Sequence, residues 1–141
     1  SDAELSATLA AEFKAAETLR RDEGGLRAVL EDVVGHLETG TMPSQQLALD
    51  VQGTAFQRRV WQALLAIPSG GVLSYAELGL EMGMEGGQRA VAKGCATNKV
   101  SLLIPCHRIV RSDGAMGGYR WGVKRKQRLL SMEKRRIGAK E

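Results

Sequence analysis

The segment SYAELGLEMGMEGGQRAVAKGCAT, residues 74–97, predicts two short helices that follow each other closely. Ser74 stands three residues before Glu77, which is the spacing of a helix-capping box, and the first helix is expected to end at a glycine. A short glycine-containing connection then leads into a second helix over 88–97. Such a pair is typical of a helix-turn-helix, although helices joined by glycine turns are also common in proteins that bind no nucleic acid.

The second helix is rich in small residues, mainly alanine with one glycine, and Arg89 and Lys93 are its only cations. Small side chains such as Ala90 let a helix backbone approach a surface closely, while a long arginine reaches beyond it. A major-groove reader usually carries several long polar side chains, so this helix favours a minor-groove approach with Arg89 as a wedge. A buried helix that packs through its small face explains the same composition, and this stretch alone leaves both interpretations open.

The sequence on either side of the pair predicts further helices. Upstream, Thr54 and Gln57 have the spacing of a second capping box, and the amphipathic helix that they open stops at Pro68. Downstream, the pattern predicts short non-helical segments and then a basic final helix: extended chain at 100–105 and 107–110, a turn at 111–114 and the helix at 123–136.

The N-terminal part is predicted to mix helix and strand. The pattern gives, in order, a helix at 3–13, a single strand at 15–22, an amphipathic helix at 26–37 and a linker at 38–46. The expected fold class is therefore an α/β N-terminal part, residues 1–47, followed by a mostly helical helix-turn-helix domain, residues 48–141.

The composition excludes several classes of protein. A chain of 141 residues can bury a core without disulfides or metals, and its formal charge of +4 is compatible with a nucleic-acid partner. No apolar run approaches the roughly 20 residues of a membrane span, so no membrane partner is expected. The two cysteines and two histidines match no zinc-ligand spacing. We expect a reduced, monomeric, cytoplasmic protein, nucleoid-associated in a bacterium, without cofactor, metal or disulfide.

The most apolar run of the chain, SLLIPCHRIV at residues 101–110, places Cys106 and His107 side by side. A cysteine in such a run is usually buried and inert, but an adjacent base that takes the thiol proton makes it a nucleophile. Neighbours in a regular strand point to opposite faces, so contact between these two side chains requires a turn at Pro105 or a bridging water. Cys95, without an adjacent base, is interpreted as a packing residue, and His36 as a solvated one.

Other positions could support a reactive thiol. Glu133, on the basic final helix, could orient His107 or simply form a salt bridge. Asn98 is either a helix C-cap or a buried residue that orients the turn. Tyr75 could donate a hydrogen bond to a ligand or pack at the start of its helix. The loop GGYRWG, residues 117–122, could wall a flat aromatic ligand or be a plain turn, and its larger side chains are Tyr119, Arg120 and Trp121.

Together these motifs resemble the O6-alkylguanine-DNA alkyltransferase family. IPCHRIV, residues 104–110, matches the family's active-site motif. The match extends over about residues 48–135, through GTAFQRRVWQALLAIPSG, SYAELG, RAVAKGCATN, SDGAMGGYRWG and KRKQRLLSMEK. The segments ATNKV and GYRWGVKRK are most similar to the C-terminal domain of Ada-type proteins. The resemblance implies a ribonuclease H-like remnant in the N-terminal part and a winged-helix-like helix-turn-helix domain after it.

The resemblance implies direct-reversal DNA repair. The protein would bind duplex DNA that contains O6-alkylguanine through the helix pair at the minor groove, and would rotate the damaged nucleotide out of the stack. The thiolate of Cys106 would displace the alkyl carbon from O6 in one in-line step. Because the thioether is not cleaved again, each molecule would act once.

The same resemblance assigns catalytic roles. His107 and Glu133 fall on the water-linked relay that ionises the cysteine, and Asn98 falls on the asparagine that braces the active-site turn. Tyr75 falls on the tyrosine that crowds the 3′ phosphate and donates to guanine as it leaves.

Binding roles follow in the same way. Arg89 falls on the arginine finger that fills the gap left by the flipped base, and its neighbours on the DNA-binding helix are Ala90 and Lys93. The guanine pocket would combine the backbone carbonyls of Cys106 and Ile109 with the glycine loop, through Tyr119, Arg120 and Trp121.

Some family features are expected to be missing. No N-terminal zinc ligands like those of some members are present, so no metal is expected. The sequence begins at SDAELS inside the first predicted helix, so the family's N-terminal strand hairpin is expected to be absent. The regulatory domain of Ada-type proteins is not expected either, and transcriptional activation is not carried over.

Two other functions remain open. A non-catalytic, alkyltransferase-like module would bind lesions through the helix pair, although such proteins typically lack the cysteine. A Cys–His hydrolase would need an oxyanion hole and would leave the helix pair unexplained. Both enzymatic readings predict fast thiol labelling of Cys106, and only a hydrolase predicts turnover of esters or peptides.

Overall fold

The computed structural model describes residues 1–22, 24–41 and 49–139. Within these ranges the chain is mostly helical, with a small two-stranded sheet. The elements in chain order are α1 (Asp2–Glu12), α2 (Arg27–Thr39), α3 (Ala55–Leu65), β1 (Leu73–Ser74), α4 (Tyr75–Glu81), α5 (Gln88–Ala96), a 3-10 turn (Cys106–Arg108), β2 (Ile109–Val110) and α6 (Val123–Gly138). No helix in the described ranges is long and apolar enough to cross a bilayer.

The chain divides into two compact units, Ser1–Glu31 and Asp32–Glu141. In the described part of the first unit, all regular secondary structure is helical. The prediction of a strand at 15–22 is therefore wrong. The prediction of an α/β fold is also wrong for the N-terminal residues that the structure describes. A lone strand has no neighbour to pair its backbone groups, so apolar spacing alone does not maintain it. The domain boundary at 47/48 and most of the predicted linker lie outside the described residues, and that boundary stays a prediction.

Helix α3 begins as its sequence predicts and anchors the core of the second unit. Thr54 Oγ1 accepts the Gln57 N–H at 3.2 Å, and the Gln57 side chain accepts the Thr54 N–H at 2.8 Å. The buried Trp61 donates its indole N–H to the Gly94 carbonyl of α5 at 3.0 Å. A Cβ at Gly94 would lie 2.8 Å from Val60 Cγ2, so the glycine is what lets α3 and α5 approach this closely.

The geometry of the helix pair α4–α5 is compatible with both interpretations of its composition. The Ser74–Glu77 capping box is formed, with N–H to oxygen distances of 2.7 and 3.1 Å. The small face of α5 is buried against the core, while Arg89 and Lys93 are exposed on the opposite side. The helix is therefore packed through its small residues and still presents both cations to solvent.

The segment that leads to Cys106 is not extended, so the predictions for 100–105 and for the first residues of 107–110 are wrong. Its backbone reverses at Leu102, which has a φ of 77°, and Ser101 and Ile104 form an isolated bridge. Residues 106–108 form the 3-10 turn, and only Ile109 and Val110 pair with β1, in parallel. Pro105 stands at the start of this turn, which supplies the change of direction that Cys106 and His107 require.

Candidate active site

Cys106 lies on the 3-10 turn at the floor of a cavity of about 640 Å³. Its backbone N–H donates to the Ile104 carbonyl at 2.8 Å, and its side chain is almost fully buried. The cavity is bounded by both helices of the α4–α5 pair and by the glycine loop at 117–120. A buried thiol at the floor of an open cavity can react only with a group that enters the cavity.

Asn98 holds this thiol in place. Its amide nitrogen donates to the Ile104 carbonyl at 2.8 Å and to Cys106 Sγ at 3.2 Å, while its oxygen accepts the Val100 N–H at 2.9 Å. The residue is 1% exposed. Of its two interpretations, the buried orienting residue fits this geometry, since the C-cap of α5 is Thr97.

The surroundings of the thiol act on its pKa in opposite directions. Burial raises the pKa of Cys106 above its usual value, while hydrogen bonds from Asn98 and Ser101 and the charge of Lys126 lower it less strongly. The thiol therefore needs a base to react at neutral pH. Burial raises the pKa of Cys95 to about 12, so that residue stays a neutral packing thiol, although it also lines the cavity.

Behind Cys106, a buried cluster joins the turn to α6. His107 Nε2 donates to Glu133 Oε1 at 2.9 Å, and Arg108 donates to both Glu133 oxygens at 2.8–3.2 Å. The backbone N–H of Gly70 donates to Glu133 Oε2 at 3.0 Å, and Arg108 also donates to the Ile67 carbonyl at 2.6 Å. One carboxylate thus fixes both residues that follow the cysteine.

The protonation of Glu133 determines the tautomer of His107. Burial raises the pKa of the Glu133 carboxyl, but the hydrogen bonds from His107, Arg108 and Gly70 outweigh burial and hold the pKa at about 2. An ionised carboxylate only accepts, so neutral His107 carries its proton on Nε2. Nδ1 is then a lone-pair acceptor, and it is buried without a hydrogen-bond partner among the described residues.

A fully buried lysine supports the loop opposite the thiol. Lys126 on α6 donates to the Met116 carbonyl and to the Gly118 carbonyl, the latter at 3.4 Å. These bonds fix the glycine loop, in which Gly117 has a φ of 66° and a Cβ would lie 3.2 Å from the Tyr75 ring. Burial lowers the pKa of Lys126, and the nearby Cys106 opposes that change.

The structure brings most of the predicted site residues to this cavity. Four of them line it together with Cys106, namely Tyr75, Arg89, Tyr119 and Arg120. Three lie directly beside or behind the thiol, namely Asn98, His107 and Glu133. Four are not on the cavity wall, namely Ala90, Lys93, Ile109 and Trp121.

The positions outside the wall have distinct surroundings. Ile109 is fully buried in the core through its side chain. Trp121 lines a separate cavity of about 440 Å³ and stacks under Arg120, whose guanidinium carbon lies 5.2 Å from the ring centre. His36 is half-buried, and its Nδ1 donates to the Thr41 carbonyl at 2.8 Å.

Sequence reasoning missed Arg108, Ser101 and Lys126. Arg108 lies within the IPCHRIV motif, residues 104–110, and its neighbour His107 could have indicated a buried ion pair. Ser101 carries the one hydroxyl side chain of the run at 101–110. A polar group among apolar neighbours indicates that it has a hydrogen-bond partner inside the fold. Lys126 carries no such signal, because nothing distinguishes it from the other cations of a basic helix.

Glu133 also predicts how stability depends on pH. The Glu133 carboxyl has a pKa of about 2 in the fold and 4.5 as its ordinary value, so its stabilising effect is complete above pH 4.5 and is lost as the pH falls through 2. The difference amounts to up to about 3 kcal/mol. We expect unfolding free energies from urea titrations to fall over this window. Glu133→Gln, which lacks this carboxyl, should lose less stability over the same window, and equal slopes would contradict the prediction.

Comparison with known proteins places this site in a family. Residues 55–135 match the family described as 6-O-methylguanine DNA methyltransferase, DNA binding domain. The chain is 58% identical over 87 residues to regulatory protein ada of Salmonella typhimurium, covering 62% of this chain and 25% of that protein. It is 46% identical over 132 residues to the bifunctional transcriptional activator/DNA repair enzyme Ada of Escherichia coli, covering 94% of this chain and 37% of that protein. The chain thus spans a quarter to just over a third of these relatives.

A solved structure agrees with the sequence match. Mycobacterium tuberculosis OGT, crystallised in complex with DNA, superposes with a TM-score of 0.73 at 36% identity, covering 82% of this chain and 71% of that one. The mostly helical fold with its small sheet matches that protein, and the matched region is a DNA-binding domain. The chain belongs to the 6-O-methylguanine DNA methyltransferase family.

Proposed function

We propose that this chain repairs DNA by direct reversal, transferring the alkyl group of O6-alkylguanine in duplex DNA to Cys106 in a single turnover. One observation carries the proposal: a buried thiol, braced by Asn98, faces a cavity between the helix pair and the glycine loop, with a histidine base beside it. The cavity is large enough to hold a base that has left the DNA stack. The names of the family and of the relatives support the same reaction.

The proton path starts at the thiol. A water between Cys106 and His107 Nδ1 passes the thiol proton to the imidazole, and Glu133 stabilises the imidazolium that results. The thiolate then attacks the alkyl carbon, the S–C bond forms and the C–O6 bond breaks with its electron pair moving to guanine. Tyr75 protonates the departing guanine and is reprotonated by the proton released from the thiol. Burial raises the pKa of Tyr75, so this donor is protonated at neutral pH.

DNA binding uses the exposed side of α5. Arg89 lines the cavity mouth, so its side chain can enter the space that a flipped nucleotide leaves. Ala90 and Lys93 lie one and four residues further along the helix, where a short side chain permits close approach and a cation meets phosphate. The glycine loop forms the opposite wall of the guanine pocket through Tyr119 and Arg120. Trp121 would support this wall from outside through its contact with Arg120, and Ile109 would act from the core through its backbone carbonyl.

The proposal also includes the fold type of the two parts of the chain, the oligomeric state and the cellular location. We propose a winged-helix-like arrangement around α4 and α5 and, before residue 48, a remnant of a ribonuclease H-like subdomain whose described residues form only helices among regular elements. We also propose that the protein acts in the cytoplasm, since both cysteines are buried free thiols, and that it acts as a monomer.

The test is intact-mass measurement after mixing the protein with a short duplex that carries one O6-methylguanine. We expect a gain of about 14 Da per molecule, placed on Cys106 by tandem mass spectrometry, because thioether formation transfers one methyl group irreversibly. Cys106→Ser should gain no mass, and Cys95→Ser serves as the matched control that should gain the same mass as the unchanged protein.

Other outcomes would favour the other functions. Retention of the damaged duplex without any mass gain would overturn the transfer reaction and would support a non-catalytic lesion-binding module. Turnover of esters or peptides would support a Cys–His hydrolase.

A further inference from the structure

We propose that the outer face of α6 is a second DNA-binding surface, which binds the phosphate backbone of a duplex segment other than the one on the helix pair α4–α5. The outer face consists of Lys124, Gln127, Arg128, Ser131 and Arg135, which together with Met132 line a surface depression of about 520 Å³. The inference goes beyond the proposed function, because phosphate binding on α6 requires neither Cys106 nor methyl transfer.

The positive charge of the chain is concentrated on α6. This helix carries seven lysine and arginine side chains and one carboxylate, a net charge of +6, whereas the whole chain carries +4. The other residues of the chain therefore carry a net charge of −2. Five of the cations on α6 are exposed, while α5 has two, so α6 presents more positive charge to solvent than α5 does.

The outer face points away from the reaction cavity. Lys126 and Glu133 lie on the buried side of α6, where they hold the glycine loop and the turn that carries the cysteine. Lys124, Arg128 and Arg135 each lie two residues from one of these buried positions, and two residues turn an α-helix through about 200°. Among the described residues, the depression and the reaction cavity share no lining residue. A duplex that places a nucleotide in the cavity thus leaves the outer face of α6 open.

The three cations of the outer face are available to a ligand. Lys124, Arg128 and Arg135 are exposed and have no hydrogen-bond or ion-pair partner among the described residues. Their arrangement does not serve the helix itself, since Lys124 and Arg128 are like charges four residues apart. The first turn of α6 also contains cations and no acidic residue, although the helix dipole favours acidic residues there. Charges that cost helix stability are expected where they have another function.

The spacing and chemistry of the outer face fit a phosphate backbone. From Lys124 to Arg135 the helix axis rises about 17 Å, which corresponds to about five phosphates along one strand of a duplex. Gln127 and Ser131 lie between the cations and can donate hydrogen bonds to phosphate oxygens. Protein partners and lipid surfaces need apolar or aromatic anchors, whereas Met132 is the one apolar side chain of the depression and is half-buried.

Among polyanions, duplex DNA is the occupant that the family match favours. The matched region, residues 55–135, contains most of α6 and is described as a DNA-binding domain. A protein that is held on DNA by one surface meets other segments of the same DNA at a high effective concentration. A second surface would therefore let the protein bridge two segments.

The first experiment asks whether one protein molecule holds two duplexes. An immobilised duplex of about 16 base pairs, too stiff to bend round the protein, carries one O6-methylguanine. Cys106→Ser protein, which does not remove the methyl group, is bound to it, and a labelled undamaged duplex of the same length is added. We expect the label to be retained in proportion to the bound protein, and to be released as the salt concentration rises.

A triple variant of the outer face tests which residues retain the label. It combines Lys124→Ala, Arg128→Ala and Arg135→Ala, and alanine preserves the helix because it has the highest helix propensity. The retained label should fall about tenfold or more, because each lost phosphate contact weakens binding. The matched control, which removes the same charge from exposed positions of the first unit, combines Lys14→Ala, Arg20→Ala and Arg27→Ala. Equal retention by the two triple variants would overturn the proposal.

The salt dependence of binding counts the phosphate contacts directly. In Arg89→Ala/Lys93→Ala protein, where binding through α5 is weakened, fluorescence anisotropy measures the affinity for the labelled undamaged duplex. Adding the outer-face triple variant should reduce the slope of log K against log salt by about 2–3, since each phosphate contact contributes about 0.9. An unchanged slope would contradict the proposal, as would outer-face binding of vesicles with anionic lipids in place of the duplex.

Methyl transfer separates the second surface from the first. With Cys106 intact and a single short duplex as substrate, the outer-face triple variant should react within about twofold of the unchanged protein. A much slower reaction would show that the outer face binds the same segment as α5, and would overturn the proposal. If the unchanged protein transfers no methyl group, the proposed function fails, whereas the retention of the labelled duplex still decides the role of α6.

Discussion

Replacing Glu133 by glutamine is expected to cost about 3–5 kcal/mol of unfolding free energy, because it leaves a buried cation without its counter-ion. Arg108 donates to both carboxylate oxygens and is 6% exposed. Glutamine keeps the shape but presents an N–H₂ group where Arg108 also donates, so two donors face each other. Urea unfolding at pH 7 measures the loss. The matched control is Glu81→Gln, an exposed glutamate of α4, which should change stability by less than about 0.5 kcal/mol.

The same substitution is expected to slow methyl transfer at pH 7 by about a hundredfold or more. Without the carboxylate, His107 is no longer required to keep its proton on Nε2, and the tautomer that carries the proton on Nδ1 cannot accept one from the thiol. The difference from the unchanged protein should shrink at high pH, where the thiol ionises without a base. A folded Glu133→Gln protein that transfers methyl groups within about threefold of the normal rate would rule out the relay.

Local signals in the sequence account for the elements that the structure confirms. The capping boxes at Thr54 and Ser74 each span only four residues, so the interactions that start α3 and α4 can be predicted from the residues themselves. The strand at 15–22 lacked such a signal. A strand at 15–22 would need a second strand to pair with, and the described residues provide no such partner for it.

Long-range contacts explain what the sequence could not predict. The segment before Cys106 has the composition of a strand, but the buried amide of Asn98 bonds to Val100 and Ile104 within it and to Cys106 after it, and holds it in a reversal. Arg108 and Glu133 are 25 residues apart, and their ion pair exists only because α6 packs on the turn. The spacing of residues in the sequence identifies the members of this site, whereas tertiary packing determines which hydrogen-bond and ion-pair partners they have.

Removal of the Asn98 side chain has the second large expected effect. Asn98→Ala loses the hydrogen bonds to the Ile104 carbonyl, the Val100 N–H and Cys106 Sγ. An unsatisfied buried donor costs about 1–3 kcal/mol, so we expect an unfolding free energy about 2–3 kcal/mol lower. Gln127→Ala, at an exposed amide of α6, is the control that should lose little.

The substitution Asn98→Asp distinguishes the effect of Asn98 on stability from its effect on the reactivity of the Cys106 thiol. The carboxylate still accepts the Val100 N–H, but it donates nothing to the thiolate and places a like charge beside it. We therefore expect the midpoint pH for iodoacetamide labelling of Cys106 to rise by more than one pH unit and methyl transfer at pH 7 to fall by about a hundredfold, as the thiolate fraction falls. Asn98→Asp protein that remains folded, with a normal midpoint and a normal rate, would contradict this account. In that case the turn at Pro105 would hold the thiol without the amide, and Asn98 would act only on stability.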